Sequence, residues 1–65
     1  MKTLVIVIKE HCIDIAQEYI QSLNLICTPF LNIYEMKVEE SECKSAVDAI
    51  EYIFSGVEFT IYKLN

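Results

Sequence analysis

Arginine is absent from this chain of 65 residues, and its five basic side chains are all lysines. Without a guanidinium fork there is no bidentate grip on phosphate or carboxylate. The single glycine, Gly56, leaves no glycine-rich loop to cradle a nucleotide. With one proline and 54% hydrophobic residues, the composition excludes disorder and low complexity. Long apolar runs are missing too. The opening run over residues 3–8 stops at Lys9-Glu10, short of a signal-peptide core, no small-residue cleavage site follows, and nothing is long enough to span a bilayer. The expectation is a cytosolic protein. Cysteine is sparse and odd in number: Cys12, Cys27 and Cys43 are widely spaced, which argues against a disulfide framework and fits a reducing compartment, although one thiol could pair between chains.

At 7.5 kDa there is room for one domain, residues 1–65. A chain of this size buries only about 60% of the surface that its unfolded form exposes, so its stability is marginal without disulfides, a metal or oligomerisation. Ten acidic residues against five lysines give a formal charge of −5. Nucleic-acid binding depends on cations meeting phosphates, so this balance speaks against DNA or RNA as a direct ligand. Heavy isoleucine use without arginine suggests an AT-rich coding genome, such as that of a phage or a low-GC bacterium.

In the first β-branched run, Leu4, Ile6 and Ile8 take one face while Val5 and Val7 take the other, as in a central strand. A helix is predicted over residues 12–23 from the stripe Cys12, Ile15, Ala16, Tyr19, Ile20 and Leu23, with Asn24 as its stop. Thr28-Pro29 breaks the next extended stretch, because proline cannot donate to a ladder and presets a turn. Strands at residues 25–28 and 31–38 result. A second helix is expected over residues 43–55, capped by Ser41, buried through Cys43, Ala46, Val47, Ile50, Ile53 and Phe54, and stopped at Gly56. A last strand, residues 57–64, alternates Val57, Phe59 and Ile61 with Glu58, Thr60 and Tyr62. The order β-α-β-β-α-β is that of the ferredoxin-like fold, an α+β open-faced sandwich. An unbroken middle strand would instead give β-α-β-α-β.

His11-Cys12, at the junction of the first strand and helix, is the most suggestive chemical pair. A thiol in the first turn of a helix faces free backbone N–H groups, which stabilise a thiolate. The position resembles the ligand loop of the heavy-metal-associated carriers, but that family presents Cys-x-x-Cys and this loop holds one cysteine. A thiol-based metal or redox module centred on Cys12 is therefore the alternative reading, against a buried helix cysteine beside a solvated histidine. Cys27 and Cys43 read as small buried hydrophobes. A Cys-His dyad is geometrically poor here, since adjacent side chains diverge on a helix or strand. Acylphosphatases share this element order but use an arginine that is absent, and RNA-recognition domains stack bases on central-strand aromatics that residues 4–8 lack.

The positive signal lies in surfaces. Asp14, Glu18, Asp48 and Glu51 should project from the helices, and Glu35, Glu39, Glu40 and Glu42 should gather at the entry of the second. Such a surface steers toward a basic partner. Val5, Val7, Tyr34, Met36 and Tyr62 form a candidate apolar sheet surface. The resulting expectation is a non-enzymatic protein–protein interaction module, an inhibitor or regulator such as a phage-encoded effector blocking a host or defence protein. Glu39, Glu42, Asp48, Glu51, Tyr34 and Tyr62 are its candidate contact residues, with no cofactor or metal, no membrane partner and a homodimer as an option. A small-molecule-binding regulatory dimer is a further alternative.

Overall fold

The computed structural model of the chain describes residues 1–21, 23 and 25–64. The expected stop at Asn24 and the expected burial of the Cys27 side chain lie outside what is described. The elements run β1 (Lys2–Ile8), α1 (Ile13–Ile20), β2 (Ile26–Cys27), β3 (Ile33–Val38), α2 (Cys43–Ile53) and β4 (Phe59–Leu64). The molecule is a small α+β structure: β3, β1 and β4 form an antiparallel sheet, and the two-residue β2 pairs with the outer edge of β3. β1 is central, as its two apolar faces imply. The stretch of residues 25–38 divides around Thr28-Pro29, not into one bent strand. Thr28 holds that turn, its hydroxyl donating to the Ile33 carbonyl at 2.7 Å and accepting from the Phe30 N–H at 3.2 Å.

Both helices pack on one face of the sheet. Leu4, Ile6 and Ile8 of β1 form one fully buried cluster with Ala16 of α1, Ile50 of α2 and Phe54 just beyond it. The smallest extent of the molecule, 18 Å, is that of two layers. Phe54 sits at the centre of an aromatic set, edge-on to Phe59 at 5.5 Å and to Tyr19 at 6.3 Å between ring centroids. Such pairs favour tilted geometry because the positive ring edge meets the negative face. The six residues expected to form the inner stripe of α2 all belong to this core. The stripe of α1 differs: Ile15 is 48% exposed, and Ile13 packs inward in its place.

The two helices start alike. Neither begins at a side-chain cap: each is preceded by a 3₁₀ turn, Glu10–Cys12 or Glu40–Glu42, entered through an extended residue, Lys9 or Glu39. The turns superimpose at an offset of thirty residues in dihedral angle as well as position, with φ/ψ of −106°/1° at Cys12 and −103°/1° at Glu42. They close by Cys12 N–H to Lys9 carbonyl at 2.9 Å and Glu42 N–H to Glu39 carbonyl at 3.0 Å. A 3₁₀ turn advances 120° per residue, not 100°, so the residues before Ile13 are not in phase with α1; within α1 the inner face runs through Ile13, Ala16 and Ile20, which leaves Ile15 outside it. The same turn absorbs Ser41, which does not cap α2. Nor does Gly56 end α2 in a left-handed conformation. The helix closes at Phe54, whose N–H donates to Ile50, and no described glycine has positive φ.

Candidate interaction surfaces

The acids avoid the strands. Nine of the ten acids, Glu10, Asp14, Glu18, Glu39, Glu40, Glu42, Asp48, Glu51 and Glu58, lie in helices, turns or loops, and all nine are exposed. Lys9 and Lys44 lie in those segments, and of the strand lysines Lys2 and Lys63, opposite Val38 and Leu4, take the helix-covered face, while Lys37 takes the open one. The helix-covered side with the turns and loops thus carries the whole formal charge of −5, and the open face of the strands is neutral. Of the expected contact residues, Glu39, Glu42, Asp48 and Glu51 are among the nine exposed acids. Glu51 also borders an open groove between the end of α2 and β4, with Val47, Phe54, Phe59 and Lys9 on its walls.

Tyr34 does not belong to the open sheet surface expected for it. It pairs with Ile6, and directly paired residues share a face, so Tyr34 points to the core; it is 7% exposed and its hydroxyl donates to the Leu31 carbonyl at 3.2 Å. Met36, opposite Leu4, also packs on the core side. Glu35 lies on the opposite face, away from the entry of α2, opposite Val5 and Ile26. The alternation was readable in the sequence: Glu35 and Lys37 mark the wet face of β3, which leaves Tyr34, Met36 and Val38 for the core. Tyr62, beside Val5 and 54% exposed, does lie on the uncovered face. There it is accompanied by Val7, Ile33, the half-exposed Leu64 and Ile26, and Lys37, whose ammonium donates to the Thr3 hydroxyl at 2.9 Å.

The His11-Cys12 corner is closed. Cys12 is buried, and its sulfur accepts the backbone N–H of Glu58 at 3.4 Å. His11 turns outward to the Glu58 carboxylate, Nε2 to Oε1 3.2 Å, an exposed contact of the kind that adds little to stability. Cys43 is half-buried at the start of α2, and among the described residues no three His, Cys, Asp or Glu side chains converge as a metal cluster. No described helix is long and apolar enough to cross a membrane.

No protein-family model matches the chain, and neither a curated protein nor a solved structure matches it.

Proposed function

We propose that the chain is a ferredoxin-like, non-enzymatic interaction module whose acidic helix layer docks on a basic surface of a protein partner, acting as a small inhibitor or regulator. The order β2-β3-β1-β4, antiparallel throughout, supports the fold assignment. The observation that carries the functional reading is the segregation of nine acids to the helices and loops. Scattered acids would serve solubility equally well; gathered in the helices, turns and loops and balanced by a lysine on the open sheet face, they create a directed field that accelerates encounter with a cationic surface and repels nucleic acid. Lys44 alone among the α2 residues opposes that field. A phage-encoded effector that occupies a cationic groove of a host or defence protein fits the size, the acidity and the isoleucine-rich, arginine-free composition.

The test is a paired capture from a lysate of the source organism, with the parent and the Glu42→Lys/Asp48→Lys variant as baits at low and moderate salt. The reading requires a protein held by the parent and lost both from the variant and at the higher salt, because screening shortens electrostatic reach to about 10 Å at 0.1 M. Identical retention by both baits at both salts overturns it.

A further inference from the structure

The uncovered sheet face is patterned to match itself. Its strands place side chains in rows: Thr3 stands between Lys37 and Leu64, Val5 between Glu35 and Tyr62, and Val7 between Ile33 and Thr60. The face is otherwise uncharged. Among the described residues it holds one acid, Glu35, and one lysine, Lys37, two positions apart on β3, so it is formally neutral in a chain of charge −5.

We propose that this face seats a second copy of the chain, in a face-to-face dimer about a two-fold axis that runs across the strands between the Glu35 and Lys37 rows. Rotation about that axis carries each row onto the other. Glu35 then stands over the partner's Lys37, and the same contact recurs on the far side of the axis, as an isologous interface requires. Tyr62 covers the partner's Leu64, and Val5 covers the partner's Thr3.

Area and charge both favour this occupant. With strands about 4.8 Å apart and same-face residues about 6.8 Å apart, each residue tiles about 33 Å² of sheet. The six residues of the two rows that meet across the axis, with Val7, Ile33, Thr60 and Ile26 partly covered at the margin, then bury at most about 500 Å² per copy once side-chain relief is included. Two copies reach at most about 1,000 Å², the lower bound for a specific interface, so the dimer is weak and concentration-dependent. The helix layers face outward. Packed sheets are about 10 Å apart, so the acidic layers of the two copies stand about 30 Å from each other, several Debye lengths at physiological salt. The dimer would thus present its acidic surface twice, on opposite sides, although the association does not depend on the acidic layer having a partner.

Sedimentation equilibrium of the full chain from low micromolar to near-millimolar concentration tests the proposal. The parent mass should rise toward that of two chains. Glu35→Lys and Lys37→Glu, each of which sets like charges over one another, should weaken association about tenfold, and Glu35→Lys/Lys37→Glu together should restore it. Leu64→Lys, at a half-exposed site outside the core, should weaken the dimer while the far-UV circular dichroism of the monomer is unchanged. A one-chain mass throughout overturns the proposal. So does parental association in both single charge variants, or no recovery in a double variant whose spectrum and melting match the parent.

Discussion

The sulfur of Cys12 and the backbone N–H of Glu58 meet at 3.4 Å across forty-six residues of sequence, joining the start of α1 to the entry of β4. The Glu58 carbonyl accepts the Lys9 N–H at 3.0 Å, so the two loops are pinned through both backbone groups of one residue. A thiol so placed is a structural acceptor in a closed corner.

Cys12 should therefore react slowly with a thiol reagent in the native state and quickly in denaturant, while the half-buried Cys43 reacts sooner. Cys12→Ala removes the acceptor and leaves a small void. A loss of about 1–3 kcal/mol in denaturant unfolding is expected. Stoichiometric zinc or copper(I) binding that disappears in Cys12→Ser would instead restore the metal reading.

Phe54 is fully buried against Phe59 and Tyr19. Truncation to alanine should cost about 3–5 kcal/mol, comparable with the whole stability of a domain this small. Circular dichroism at ambient temperature should find Phe54→Ala largely unfolded. Retention of a cooperative, near-parental melt would contradict the core described above.

Tyr34→Phe removes only the hydroxyl that reaches Leu31. Its expected cost is about 0.5–1.5 kcal/mol in thermal or chemical unfolding, with self-association unchanged. If this variant dissociated the dimer without loss of stability, Tyr34 would belong to the contact surface after all.

Thr28→Val keeps the shape of the side chain but breaks its bonds to Ile33 and Phe30. Amide exchange in β2 and the first residues of β3 should accelerate well before that of β1, because the hydroxyl is what ties the turn to the strand. Uniform acceleration across the sheet would place the defect elsewhere.

Replacing Glu42 and Asp48 by lysine should leave the melting midpoint nearly unchanged, since both are exposed and neither touches the core. A large fall in the midpoint would mean that these acids serve the fold.

Local pattern determined a good deal. The alternation of Leu4, Ile6 and Ile8 with Val5 and Val7 placed β1 at the centre, the spacing from Cys43 to Phe54 identified the inner stripe of α2, and Pro29 divided the middle stretch. These signals are short-range: a period of two or of 3.6, or a missing N–H, acts within one element. What tertiary structure decided is phase and pairing. The packing of α1 on the sheet turned Ile13 inward and left Ile15 out of the core, and the register of β3 on β1 put Tyr34 and Met36 beneath the helices and Glu35 on the open face. The neutrality of the open face is likewise invisible in a composition of −5; it exists because two helices cover one side of the sheet and the register leaves only Glu35 and Lys37 as charges on the other. Register is a long-range property, fixed only when the apolar faces of separate elements must be buried together, and a slip of one residue exchanges the faces.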